Sequence, residues 1–297
     1  TKGVLVVELV EKIYNEIFLK IHHRTVDLFL CGGASTDKEL SKRDIIREKL
    51  EEDKRITVLY PEDLFMELLG RKKYDLLTLE KFLAENSDVI CIVCESPGSF
   101  AELGAFVNNE DTVEKVIAFQ QSKYKNKKSF INQGPIALIK SKNTENVIYF
   151  NQSIEESIDR LKKILNKRFW RTSYKSLEHE VRVKDIDLIA GQYYLIMILL
   201  YFYRTIEIKV LESNIKKLYL ERGYDIERFE QVYKSAIKRL YKERLLKKVK
   251  NEKGISMYAL TNKGYSSSKN ILRTTRIEKR TQTIDNISLK IIQSQYH

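Results

Sequence analysis

Residues 88–104, Asp-Val-Ile-Cys-Ile-Val-Cys-Glu-Ser-Pro-Gly-Ser-Phe-Ala-Glu-Leu-Gly, decide the fold. Asp88 to Val93 is a short apolar run of the kind found in a parallel strand covered on both faces, and Ser96-Pro97-Gly98 stops it. A helix carrying one acid, Glu102, is predicted to follow. In open α/β sheets the crevice beyond the strand ends is the usual ligand site, and a helix start there offers free N–H groups to an anion. Ser99-x-x-Glu102 also fits a capping box, in which the glutamate serves only its own helix. On this segment alone Glu102 reads both ways, as a ligand-facing acid and as a cap.

Working outward, Val26 to Leu30 is a second apolar strand that runs into Cys31-Gly32-Gly33-Ala34-Ser35, with helical spacing over 37–52. Two strand ends therefore carry small residues, which makes Gly32, Gly33, Ser35, Ser96, Gly98 and Ser99 candidate substrate contacts by position, though each is also an ordinary turn residue. The turn lacks G-x-G-x-x-G spacing, and no Gly-Lys-Ser/Thr follows, which argues against hydride and phosphoryl transfer. Asp63 and Asp88 are candidates for a second carboxylate. Asp63 follows the strand 56–60 and could face the same crevice, but Pro61 with acids after it is equally a helix start. Asp88 precedes its strand and belongs at the other end.

The first half alternates strands near 26–31, 56–60, 88–94, 115–119, 135–140 and 147–150 with helical stretches, ending in a helix over 154–165. That order predicts an α/β fold, a mostly parallel sheet with helices on both faces. Leu5, Leu9, Ile13, Ile17 and Ile21 mark a leading helix, and the polar 120–132 stretch an exposed loop, a lid or a partner contact. The pattern changes near Lys167. Helices at 192–206, 211–223 and 226–245, a strand 246–250, a turn 251–254 and a strand 255–260 are the parts of a winged helix. The expected domains are 1–166, catalytic; 167–270, winged helix; and 271–297, a basic tail that is either an arm or a mobile terminus.

The chain of 297 residues has a formal charge of +12, but residues 1–165 sum to −2 and residues 166–297 to +14. A basic half joined to a near-neutral one suggests a polyanion partner. In the third helix of that half, Phe229, Tyr233, Ala236 and Leu240 form an apolar stripe, with Gln231, Lys234, Lys238 and Lys242 opposite. Lys234, Lys238 and Lys242, with Arg273 and Arg276 of the tail, are therefore candidate nucleic-acid or partner contacts; the same lysines also suit a solvated face. Without a clear base-reading set of Arg or Asn, backbone contact is favoured over sequence readout.

Neither the three cysteines nor His22 and His23 make a metal site: Cys91 and Cys94 fall on opposite faces of their strand, and adjacent histidines on a helix share no face. The cysteines read as core residues of a protein in a reducing, cytoplasmic compartment. The longest apolar run, Tyr193 to Tyr203, is 11 residues, too short to span a bilayer. The chain opens on Thr1, and a few preceding residues are expected.

Gly98, Ser99, Glu102 and Gly104, after a strand and downstream of the Cys31–Ser35 turn, resemble the G-[TS]-x-x-E-x-G setting of the nucleoside deoxyribosyltransferase family. The resemblance covers about residues 24–165 and implies that Glu102 is the catalytic carboxylate; the second acid of many members has no unambiguous match. With the basic half attached, the whole chain resembles effector proteins of bacterial anti-phage retrons. That resemblance implies a toxin held inactive by a retron reverse transcriptase and its multicopy single-stranded DNA, and self-association into an oligomer. NAD is the substrate it favours, with no cofactor, because nicotinamide already leaves as a neutral base from a cationic nucleotide. The alternatives are deoxyribosyl transfer, a nucleotide sensor without turnover coupled to a DNA-binding winged helix, and a DNA-binding regulator.

Overall fold

The computed structural model describes residues 2–21, 25–37, 39–60, 75–170 and 184–296. The chain divides into two compact units, Arg24–Glu178 and a second made of Thr1–His23 with His179–His297. The leading helix α1 (Lys2–Glu16) belongs to the latter.

In the sheet unit the elements run β1 (Val26–Cys31), α2 (Lys42–Glu51), β2 (Ile56–Leu59), α3 (Leu76–Asn86), β3 (Val89–Cys94), α4 (Pro97–Val107), β4 (Val116–Gln121), α5 (Pro135–Lys142), β5 (Val147–Phe150) and α6 (Glu155–Leu165). All pairings are parallel, in the order β2-β1-β3-β4-β5. Every residue of β1 and β3 is buried, as their unbroken apolar sequence requires of central strands covered on both sides. Leu28, Leu30, Val89, Cys91 and Val93 form one face of the core with Ile46 and Leu50 of α2 and Ile158 and Leu161 of α6. The alternate residues Phe29, Ile90 and Ile92 are equally buried.

One expected strand is a helix. Residues 135–140 lie in α5, with Pro135 at its first position after Gly134. The fixed φ of proline and its missing N–H suit a first helical turn, and Ile136 and Ile139 repeat at a spacing of three on its buried side. Val147–Phe150 supplies the fifth strand.

The second unit contains α7 (Ile189–Tyr203), β6 (Thr205–Glu207), α8 (Ile208–Glu221), α9 (Ile226–Lys242), β7 (Leu246–Lys250), β8 (Ser256–Leu260), α10 (Asn262–Thr274) and α11 (Arg280–Tyr296). Its antiparallel sheet has the order β6-β8-β7. The hairpin and three helices anticipated from the sequence are there, and β6 adds a strand too short to carry a periodic signal. α7 is buried on nearly every side, which explains its all-round apolar sequence without a bilayer. No helix among the described residues is long and apolar enough to cross a membrane. The segment from 271 was expected as an arm or a mobile terminus; instead α11 packs against α1 and α7, burying Ile287 and Ile291.

Candidate active site

β1 is followed by a crossover to β2 on one side and β3 on its other side, so the crevice between the C-terminal ends of β1 and β3 is the topological switch point of the sheet. Cys31 ends β1 and Cys94 ends β3. Gly32 follows β1 with φ +153°, a conformation strained for any residue with a side chain, and a Cβ there would come to 3.2 Å from the Cβ atoms of Arg43 and Val93, so the close turn favours glycine. A Cβ on Gly33 would meet Glu95 Oε1 at 3.7 Å and Ser96 Cβ at 3.9 Å, which brings the two predicted strand ends into contact.

After β3 the chain turns into α4 through a cap different from the one read in the sequence. Ser96 is the N-cap and accepts from Ser99 N at 3.2 Å; Ser99 Oγ returns the bond, accepting from Ser96 N at 3.1 Å and Glu95 N at 3.2 Å. Pro97 takes the first helical position, where its missing N–H costs nothing. The capping box is thus Ser96 with Ser99, and Glu102 has no part in it. The helix begins earlier than a Ser99 cap would place it because Ser-Pro is itself a strong helix start.

Glu102 sits in the second turn of α4, half-buried with Oε2 buried. Helical side chains lean toward the N-terminus, and Glu102 accordingly acts on both strand ends. Burial pushes the Cys31 thiol well up; Glu102 and Glu80 of α3 push the same way, against Arg43. Cys94 is pushed up to about 12 by burial, then by Glu102 and Glu95. These thiols stay protonated at neutral pH and are not nucleophiles.

Glu80 and Glu95 were missed in the sequence. Glu80 is buried on α3 between Leu79 and Leu83, and an acid falling on an apolar stripe is the signal that could have found it. Glu95 follows β3 directly and forms an ion pair with Lys42 at the start of α2, Nζ to Oε2 3.3 Å. Of the predicted contacts, Gly32, Gly33, Ser96, Gly98 and Ser99 gather at the two strand ends with Glu102, although the Ser99 hydroxyl is engaged by the cap. A Cβ on Gly98 would meet only Ser96 Oγ, at 4.0 Å, so a ligand has room to approach the backbone there. Ser35 donates to Asp44 and accepts from Ser41 N at 2.9 Å, in a cluster that starts α2. Burial would raise the Asp44 carboxyl, but hydrogen bonds from Ser35, Tyr60 and Ser41 outweigh it and hold it low. Asp88 lies at the opposite end of the sheet, accepting from Asp27 N at 2.8 Å. Asp63, like His22 and His23, lies outside the described residues.

The 120–132 loop is fastened at the same end of the sheet: Gln120 Nε2 donates to Asn132 Oδ1 at 2.9 Å, and Asn132 Nδ2 donates to the carbonyls of Tyr124 and Lys127. Among the described residues no group of three His, Cys, Asp or Glu is arranged to hold a metal.

A parallel sheet of order 2-1-3-4-5 with acids near its switch point, in a chain that carries a second, basic and mostly helical unit, defines the class of protein: an α/β domain with a helical unit that holds a small antiparallel sheet. Residues 39–248 match the STM3845 retron effector protein family, and the chain belongs to that family. It is 40% identical over 171 residues to an Escherichia coli protein of retron Ec86 and 31% identical over 141 residues to one of retron Ec73, both provisionally named ribosyltransferase/DNA-binding proteins. These alignments cover 55% and 46% of this chain and 55% and 45% of the relatives, so the chain matches about half the length of each.

Proposed function

We propose that the sheet unit is an N-glycosidase that cleaves NAD, with Glu102 as its catalytic carboxylate, and that the unit's activity is the toxic output of a retron defence system. Breaking an N-glycosidic bond passes through an oxocarbenium-like sugar, which a carboxylate against the anomeric carbon attacks or stabilises. The observation that carries the reading is the shared influence of Glu102 on Cys31 and Cys94, the last residues of the two strands that flank the switch point. Glu95 and Glu80 are the neighbouring acids able to act on a ribose hydroxyl or a leaving group, and Gly32, Gly33 and Gly98 line the approach. Substrate supplies all the chemistry apart from the carboxylates, so no cofactor is required.

The C-terminal unit, read as a winged helix, fastens the enzyme to the reverse transcriptase of its retron and to a polyanion, the multicopy single-stranded DNA that it carries; release from that complex, and assembly into an oligomer, control the activity. The relatives' shared name, ribosyltransferase, favours a second outcome for the same glycosyl chemistry, in which an acceptor other than water takes the sugar.

The test is NAD loss and nicotinamide release by the purified full chain, wild type beside Glu102→Gln. Loss of a catalytic carboxylate lowers turnover by about three orders of magnitude or more. Equal NAD loss in both proteins would remove Glu102 from the mechanism. ADP-ribose as the sole second product marks hydrolysis, and an ADP-ribosylated base or protein marks transfer.

A further inference from the structure

The stripe of α9 singled out in the sequence is a poor surface for a polyanion. Its exposed charges are Asp225 at the cap and Glu227, Glu230, Lys234 and Lys242 along the helix, three acids against two bases. Lys234 is ion-paired to Glu230, and Lys238 and Lys242 are engaged as well. The next ten residues differ. From 244 to 253, Arg244, Lys247, Lys248, Lys250 and Lys253 are all exposed against a single acid, Glu252, and among the described residues none of the five takes part in an ion pair.

β7 is an edge strand of its sheet, and lysines commonly guard such edges against a further strand. Edge protection accounts for Lys247, Lys248 and Lys250 but not for cations before and after the strand. Lys253 lies in the turn beyond it. Arg244 lies before it, at the left-handed position of a helix-ending motif, φ 58°, where Arg244 N donates to Tyr241 O and Leu245 N to Leu240 O. α8 ends in the same motif, and there the left-handed position is Gly223, φ 81°, with Gly223 N to Leu220 O and Tyr224 N to Tyr219 O. Glycine is the ordinary occupant because it adopts that conformation without strain. An exposed arginine in its place is disfavoured by the backbone and has no ion-pair partner to offset that.

We propose that Arg244, β7 and the Lys253 turn form a nucleic-acid site that grips the phosphate backbone, and that this surface rather than the stripe of α9 is the principal contact. The inference rests on the reading of this unit as a polyanion-binding module. The cations are four lysines and one arginine at irregular spacing, and the Asn among them, Asn251, has its side-chain oxygen taken up by the N–H groups of Lys253 and Ile255, so the site holds charge and does not read bases.

The experiment is fluorescence anisotropy of labelled single-stranded and duplex DNA with the full chain, titrated over a range of salt. Each lost phosphate contact reduces the slope of log K against log salt by about 0.7 for a single strand or 0.9 for a duplex. Arg244→Gly should raise the thermal midpoint, because the left-handed position becomes unstrained, while it lowers the slope by about one contact. That combination separates the site from misfolding. Lys247→Gln/Lys248→Gln/Lys250→Gln should lower the slope by about two to three contacts, and Lys234→Gln should leave it unchanged. An unchanged slope in the Arg244 and triple variants, or a larger loss from Lys234→Gln, overturns the proposal. Wild type that binds neither DNA at low salt, including one that instead binds an acidic protein, overturns the nucleic-acid site, whereas NAD cleavage is read independently.

Discussion

Cys31, Cys91 and Cys94 are the residues at which the chemistry of the sheet end is most sharply tested. All three are buried free thiols, and burial is the first cause of their raised pKa, with Glu102 adding at Cys31 and Cys94. In the unfolded chain a thiol ionises near its ordinary value of 9.0, whereas folded Cys94 holds its proton to about 12. A raised folded pKa contributes stability that is present in full below the unfolded value and is lost as pH rises toward the folded one. The urea midpoint should therefore be insensitive to these thiols at pH 7–8 and fall between about pH 9 and 12, and alkylation at pH 8 should require unfolding. A midpoint that climbs across that window, or rapid alkylation of the native protein, would contradict the protonated thiols and with them the carboxylate-centred site. At this scale the place of Glu102 beside the two strand ends was legible from Gly-Ser-x-x-Glu-x-Gly, but its neighbours were not. Glu80 lies 49 residues after Cys31 in the chain, on α3, and such meetings are made by the fold rather than by local spacing.

Helix α4 carries Glu102, and its start is fixed by the reciprocal bonds of Ser96 and Ser99. Replacing an N-cap serine by alanine costs about 1 kcal/mol. Ser96→Ala should therefore lower the thermal midpoint of the sheet unit by a few degrees, and under the proposed function NAD turnover should drop with it, because the cap anchors the helix that carries Glu102. Differential scanning fluorimetry beside turnover checks this; an unchanged midpoint would mean that Pro97 alone defines the helix start. Elements of this kind were mostly legible. β3 and α4 could be read from one apolar run and one Ser-Pro-Gly turn, and β7 and β8 from a hairpin about Asn251–Gly254. α5 was not, because Ile136 to Ile139 is too short to separate strand from helix by periodicity, and only the position of Pro135 after Gly134 distinguishes them. The cap itself was misread by one turn for a different reason, since Ser96 and Ser99 both satisfy a capping pattern.

At the scale of the whole molecule, the two ends of the chain build one unit. The stripe Leu9, Ile13, Ile17 in and after α1 showed that something covers this helix, but a stripe does not say what, and the nearer neighbour in sequence, the sheet, was the natural choice. Leu9, Val10, Ile13, Tyr14, Ile17 and Phe18 are buried in the unit that also holds α7 and α11. Tyr14 donates to Asp185 at 3.4 Å and lies under the Arg222 guanidinium, 4.6 Å from the ring centre, and Arg222 also donates to Asn15. Each large apolar side chain stabilises by roughly 1.5–3 kcal/mol when fully buried, so losing six of them exceeds what a unit of this size has in reserve. Deleting residues 1–21 should consequently unfold the C-terminal unit and spare the sheet unit, the reverse of what a domain boundary at 166 implies. Trp170, the single tryptophan, belongs to the sheet unit and stacks with Arg55 at 4.2 Å, so its fluorescence reports that unit alone. In the deletion variant the tryptophan transition should persist while far-UV circular dichroism loses helix and DNA binding disappears. Loss of the tryptophan transition with helix content retained would return α1 to the sheet, and NAD cleavage by a variant that no longer binds DNA would separate the two activities along the same line that separates the two units.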